Sequence, residues 1–308
     1  MTQNVLIIGG SYFLGRVFVE KLLQTRKFSI YVLNRGKMPL RKKGVCEIVC
    51  DRHRKEQMKQ GVPSVNWHAV VDFCAYKPAD IADLMTVLPE GGVKQYIYIS
   101  TASVYEKSDD LPIKEDHPKL SGPQSMADEA SEYAYQKWLT EIELQKQARQ
   151  RGIHYTSLRP AFIYGKYNYA PRESYFFHLI TKNKTIILPD ESMTLFSLVS
   201  VWDSAEIILG CIGNEDTFDQ AFNVAAEELV SYSRVLDVIQ TVTGKSANIR
   251  RLCRKEIIDL RIPLPFPLDE HLVYCGNKIK KVIDFRYMKL LEGMKMTYPY
   301  FLRAHGAK

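Results

Sequence analysis

The sequence has no apolar run near the roughly 18 residues that mark a membrane-spanning helix. No basic stretch precedes the first hydrophobic segment, so no cleavable signal is expected. The seven histidines show no HxH or HExxH spacing. The six cysteines are scattered, and Cys46-x3-Cys50 has no matching second pair, so a metal centre is not expected. Free thiols in a chain of this size point to a reducing cytoplasm. The net charge is +7, but the lysines and arginines are not interleaved with aromatic residues as in a single-strand-binding groove. Nucleic acid is therefore not the expected partner, whereas a phosphorylated ligand would be drawn by the same field.

Four apolar residues run into two glycines, and a third follows, in Val5–Gly15, VLIIGGSYFLG. This spacing predicts a buried strand, a tight turn and a helix beginning near Phe13. Gly9 can adopt backbone angles closed to other residues. Gly10 is expected to leave room for a phosphate, and Gly15 to let the helix sit close to the sheet. The helix N-terminus, with Tyr12, Phe13 and Leu14, then offers unpaired N–H groups to a pyrophosphate. The full three-glycine fingerprint would need glycine at position 12, where Tyr12 stands.

Strand and helix then alternate. A helix is predicted from Leu14 to Lys27, and strands at Phe28–Leu33, Glu47–Cys50, His68–Phe73 and Gln95–Ser100. Pro78 opens a helix to about Leu88. This is the pattern of a doubly wound parallel sheet of the NAD(P)-binding Rossmann type, whose ligands lie beyond the carboxyl ends of the strands. Residues just past those ends are the cofactor candidates: Asn34, Arg35, Asp51, Cys74, Ala75, Tyr76 and Ser100. Neutral Asn34 and basic Arg35 stand where NAD-preferring chains carry an acid, which favours NADP over NAD. Asp51 suits the adenine amino group or a helix cap.

A long helix is predicted from about Asp128 to Gln150. Within it Tyr133 and Lys137 are four apart and share a face. An ammonium near a phenol would lower the tyrosine pKa, as proton removal from an alcohol requires. Thr101, at the end of the fifth strand, would hold the substrate oxygen.

These segments resemble the short-chain dehydrogenase/reductase superfamily, in its extended or atypical branch, the NAD-dependent epimerase/dehydratase family. The resemblance rests on VLIIGGSYFLG (5–15), YIYISTASVYEK (96–107), YAYQK (133–137) with Glu141, YTSLRPAFIYG (155–165), FNVAAEELVS (222–231) and DFRYMKLLEGMKMT (284–297). It implies Thr101, Tyr133 and Lys137 as the catalytic set, with Lys137 also holding the nicotinamide ribose. Arg159 and Pro160 would line nicotinamide, Tyr164 the pocket mouth, and Ser103 would add a pocket hydroxyl. The implied activity is an NAD(P)-dependent epimerase or oxidoreductase acting on a nucleotide sugar or related hydroxyl or carbonyl compound. Ala102 and Ser103 stand where a dehydratase carries acidic residues, which argues against dehydration. Homodimers through two helices beside the sheet, one of them 128–150, are common in such relatives. Tyr12, and Glu106 in place of a glycine, depart from the pattern. Tyr12 does so in the manner of atypical members similar to the chloroplast stem-loop RNA-binding proteins. This keeps a second expectation: a cofactor-binding regulatory or RNA-associated protein without turnover.

The expected division is a dinucleotide domain over 1–165 and a smaller C-terminal α/β substrate lobe over 166–308, with 196–225 returning to the main sheet. Arg172 and Lys278, and more weakly Arg261, are candidates for a substrate anion. The proline-rich stretch 261–268 is expected to lie over the cleft, and the last helix to end before Pro299.

Overall fold

Val5 and Ile7 of β1 (Gln3–Ile8) point to one face of the central sheet, and Leu6 and Ile8 to the other, as the two-residue period of a strand requires. All four are buried because both faces are covered. The computed structural model describes residues 2–125, 129–190 and 194–305. Its first half runs β1, α1 (Phe13–Thr25), β2 (Phe28–Asn34), β3 (Val45–Val49), α2 (Lys55–Gly61), β4 (Trp67–Asp72), α3 (Pro78–Val87), β5 (Gln95–Ile99), α4 (Glu129–Arg151) and β6 (His154–Pro160). The expected helix start at Asp128 lies outside the described residues.

The second half runs β7 (Phe162–Tyr164), α5 (Glu173–Thr181), β8 (Ile186–Pro189), β9 (Phe196–Ser200), α6 (Val201–Cys211), β10 (Gln220–Val224), β11 (Leu229–Val230), α7 (Tyr232–Thr243), β12 (Ile249–Leu252), α8 (Arg254–Asp259) and α9 (Leu290–Ala304). The main sheet has seven parallel strands in the order β10-β6-β5-β4-β1-β2-β3. Helices α1 and α6 cover the Val5/Ile7 face, and α2, α3 and α4 the other. Among the described residues no helix is long and apolar enough to cross a membrane.

The C-terminal lobe has its own core. Phe196 and Phe266 stack with ring centroids 4.2 Å apart; Phe162 and Tyr232 meet them edge-on, and Phe176 meets Tyr232 edge-on. Three expectations change here. Within 196–225 only β10 joins the main sheet; β9 lies in a separate three-stranded sheet, β11-β9-β7. Its five residues are all buried, so an apolar run marks a covered strand without saying which sheet covers it. The stretch 261–268 does not cover the cleft, because Phe266 is drawn into the lobe's aromatic core. Pro299 sits inside α9 and does not end it. Burial of Leu290, Met294 and Phe301 along one face outweighs the backbone hydrogen bond that proline removes.

Candidate active site

A cleft of about 450 Å³ opens at the carboxyl ends of β1, β2, β4 and β5 and is closed on its far side by residues 160–172. Its floor is the glycine turn. Gly9 has φ of +84°, and a Cβ there would lie 2.9 Å from Cys74 Sγ. A Cβ on Gly15 would lie 2.7 Å from the Gly9 carbonyl oxygen, so the start of α1 can approach the turn only without a side chain. Gly10 serves differently from the expectation: a Cβ there would strike Ile7, Val19 and Val32 in the core, and the residue does not line the cleft. Tyr12 precedes α1 without a side-chain cap, and the first turn carries no acid. Its N–H groups are thus available to an anion at the cleft.

At the β2 and β3 end, Asn34, Arg35, Asp51, Arg52 and His53 line the wall. Asn34 is buried and engaged: its Nδ2 donates to Glu47 and its Oδ1 accepts from the Gly36 N–H. Arg35 is exposed and makes no ion pair among the described residues. Asp51 accepts from the His53 N–H at 3.0 Å. Arg52 is buried, with Nη1 donating to both oxygens of fully buried Asp72 and Nη2 to the Asp80 carbonyl. Tyr96 donates to the same Asp72 at 2.6 Å.

At the β5 end, Thr101 and Ser100 face Tyr133 and Lys137 of α4 across the cleft. Ser100 Oγ is buried with no hydrogen-bond partner among the described residues. Thr101 Oγ1 accepts from the Ser103 N–H and also meets the Ser103 hydroxyl at 3.2 Å. Lys137 is 1 % exposed. Its Nζ donates to the Ile99 carbonyl at 2.6 Å and the Ala75 carbonyl at 3.0 Å, and lies 4.2 Å from the Tyr98 ring centre. Burial, only partly offset by Asp72 and Glu141, brings its pKa down to about 7. Tyr133 is 41 % exposed at residue level, yet its phenol is pushed up to about 12 by burial and by Tyr169, with Arg172 opposing. No hydrogen bond joins Tyr133 to Lys137 among the described residues. The shared helix face therefore does not yield the expected lowering of the phenol pKa, because the lysine turns inward to two carbonyls.

The far wall is the segment after β7. Buried Glu173 accepts from the Gly165 N–H and from Asn168 Nδ2, both at 2.9 Å. Lys166 and Tyr167 bond Glu20 on α1. Tyr169 stacks on Tyr12 at 5.4 Å and 20°, and meets Phe13 edge-on. The segment thus spans from the C-terminal lobe to the glycine turn.

A sequence model of the NAD dependent epimerase/dehydratase family matches residues 5–225, which contain the turn, Thr101, Tyr133 and Lys137. The chain belongs to the NAD-dependent epimerase/dehydratase family. It is 26 % identical to the chloroplast stem-loop binding protein of 41 kDa b of Arabidopsis thaliana, over 96 % of this chain and 78 % of that protein. A UDP-glucose 4-epimerase of Streptococcus mutans is 23 % identical over 82 % of this chain and 85 % of its own. Among solved structures, the UDP-glucose 4-epimerase of Thermotoga maritima with UDP-glucose superposes with a TM-score of 0.80 at 19 % identity, covering 98 % of this chain and 100 % of its own. The Thermus thermophilus UDP-glucose 4-epimerase with NAD gives 0.77 at 22 % identity, covering 99 % and 100 %. These share the epimerase/dehydratase fold.

Within this family member, several candidate residues fall outside the cleft. Arg159 points away from it, pairing with Glu141 at 2.7 Å and with Tyr105 Oη at 2.8 Å, while the next residue, Pro160, lines the cleft. Adjacent strand residues face opposite sides, so a pair cannot share one ligand there. Ala75 contributes its carbonyl to Lys137 and Tyr98 from behind the wall. Ser103 is exposed beyond Thr101. Tyr164 is 2 % exposed and packed on α9, where a Cβ at Gly293 would lie 2.0 Å from its hydroxyl. Lys278 donates to the Ala221 carbonyl at the β10 edge. Arg172 does line the cleft.

Arg52 and Tyr169 line the cleft without having been singled out as site residues. A signal existed for Arg52: an acid ending an otherwise apolar strand, Asp72, requires a buried cation.

Burial raises Glu173 to about 7 from an ordinary 4.5. The folded state then holds more protons than the unfolded chain between these values, so this group's contribution to stability falls as pH rises from 4.5 to 7. In Glu173→Gln the urea midpoint should decline less across that window than in the parent. Parallel midpoint–pH curves would show that Glu173 does not titrate there.

Proposed function

We propose that the cleft binds a nicotinamide dinucleotide and carries out reversible oxidoreduction at a hydroxyl-bearing carbon of a nucleotide sugar or related substrate, with Tyr133 as proton donor and acceptor. One observation carries this reading: a glycine cradle at a helix N-terminus, an orphaned Ser100 hydroxyl, Thr101, Tyr133 and Lys137 converge in one cavity. The residues fit the cofactor. The cradle would take the pyrophosphate, Asp51 and Arg35 would flank the adenosine, and Lys137 would meet the nicotinamide ribose. When bound, the dinucleotide supplies a hydride acceptor and donor.

Thr101 Oγ1 orients the substrate oxygen. Tyr133, with its phenol at about 12, holds a proton near neutral pH and is ready to donate it to a carbonyl oxygen. Running the other way, it must lose that proton, which the Arg172 cation favours electrostatically. The cleft is lined by one carboxylate, Asp51, so no acid pair for dehydration faces the substrate end among the described residues.

The test is a titration of purified protein with NAD, NADH, NADP and NADPH. Arg35, exposed and without an ion-pair partner, supports 2′-phosphate recognition. Arg35→Ala should therefore weaken NADP(H) binding about tenfold or more, the size of a charge-assisted contact, and leave NAD(H) binding unchanged. Equal effects on both would remove Arg35 from that role, and absence of binding by all four would overturn the cofactor reading.

A second reading, an RNA-associated protein of the same fold, is favoured by the stem-loop binding relative and the +7 charge. It requires stem-loop RNA to bind with an affinity that falls steeply with salt.

A further inference from the structure

Arg172 is a half-buried cation in the cleft wall whose hydrogen bonding is only partly used. It sits where the segment after β7 turns into α5. Its Nη1 donates to the Ile163 carbonyl at 2.7 Å, and its guanidinium lies 5.1 Å from the Phe162 ring centre. These two contacts fix the plane of the group. They leave the Nε and Nη2 edge without a hydrogen-bond partner among the described residues, and that edge is the fork that grips a carboxylate or phosphate through two parallel bonds.

The neighbouring acid does not fill the fork. Both Glu173 oxygens are engaged, one by the Gly165 N–H and one by Asn168 Nδ2. Asn168 Oδ1 accepts from the Ala170 N–H, and no hydrogen bond joins it to Arg172 among the described residues. The other cleft cations differ. Arg52 is neutralised by Asp72, Lys137 is tied to two carbonyls, and Arg35 lies at the adenosine end. Arg172 is on the Tyr133 side, and the two groups are electrostatically coupled.

We propose that Arg172 forms an oxyanion subsite for the substrate, so that the molecule turned over carries a carboxylate or phosphate close to the carbon facing Tyr133. The proposal rests on the cofactor reading only for the direction of the chemistry, since the subsite can be measured without a dinucleotide. Two sources share this chemistry: the carboxylate of a hydroxy or uronic acid, and the phosphate of a sugar phosphate.

The experiment is calorimetric titration of the full-length protein with malonate and with inorganic phosphate, each with and without saturating NAD. Binding of either probe should weaken at least about tenfold in Arg172→Gln, the loss of a charge-assisted bidentate contact. Arg172→Lys should fall between, because it keeps the charge and loses the fork. Lys278→Gln, outside the cleft, should bind like the parent. Preference for malonate assigns the carboxylate source, and preference for phosphate the other. On the parent protein, malonate or phosphate should also slow phenylglyoxal labelling of Arg172, mapped by mass spectrometry, which keeps the test available if a variant misfolds. Absence of probe binding in both states, equal affinity in Arg172→Gln, or a variant that loses NAD but keeps the probe would overturn the proposal. Failure of all four dinucleotides with Arg172-dependent probe binding intact would overturn the cofactor reading alone.

Discussion

Tyr133→Phe should lower turnover by about 10²- to 10⁴-fold, the range ascribed to a positioned acid–base group, while dinucleotide affinity stays within about twofold. The substitution deletes one oxygen and keeps the ring, which packs 6.2 Å from Tyr76. The phenol has no hydrogen-bond partner among the described residues, so its removal leaves no orphaned group. A loss of that size would therefore point to proton transfer and not to folding. It is measured by following reduced nicotinamide absorbance with UDP-glucose as the first substrate tried, beside a binding titration. Full activity in the variant would move proton transfer elsewhere, and lost dinucleotide binding would make Tyr133 a cofactor contact.

The largest stability effect is expected at Arg159. Its guanidinium and the Glu141 carboxylate, 2 % and 0 % exposed, face each other through three hydrogen bonds of 2.7–3.2 Å. Arg159 also donates to Tyr105 Oη, which in turn bonds Asn223 of β10 at 2.6 Å. Arg159→Met removes the cation and leaves Glu141 charged in the interior, at a cost of about 3–5 kcal/mol. The double variant Arg159→Met, Glu141→Leu should recover much of that loss, since replacing both buried charges with apolar groups is often close to neutral. Denaturant unfolding of the four proteins in this cycle gives the coupling directly. The same Arg159→Met protein, examined below its midpoint, should retain parental dinucleotide affinity, because Arg159 faces away from the cleft. A loss under about 1 kcal/mol would mean that the pair is not the tie described here.

Much of this was legible in the sequence because backbone geometry made it local. The strand–turn–helix around Gly9 follows from residue size and periodicity, and Tyr133 and Lys137 share a helix by spacing alone. What spacing could not give was direction. Arg159 and Pro160 are neighbours, but only the proline faces the cleft. Lys137 is four residues from Tyr133, yet its ammonium turns to carbonyls contributed by Ala75 and Ile99, distant in sequence. Gly10 reads as a phosphate glycine and is held by Ile7, Val19 and Val32 in the core. Tyr169 lines the cleft only because Glu20 and Glu173 bend its segment onto α1, a contact between residues some 150 positions apart. Asp72, an acid closing an apolar strand, is the residue in the sequence that calls for the buried Arg52.

The chain crosses between the two lobes repeatedly. It enters the C-terminal lobe at β7 and returns with α6 and β10. It departs again through β11, comes back as Ile279–Tyr287 packed into the core beneath the main sheet, and leaves once more as α9. A clam-like opening about one hinge would have to bend all these crossings together. The stack of Tyr12 on Tyr169 at the cleft wall involves none of the crossing strands, so it can part while all of them stay in place.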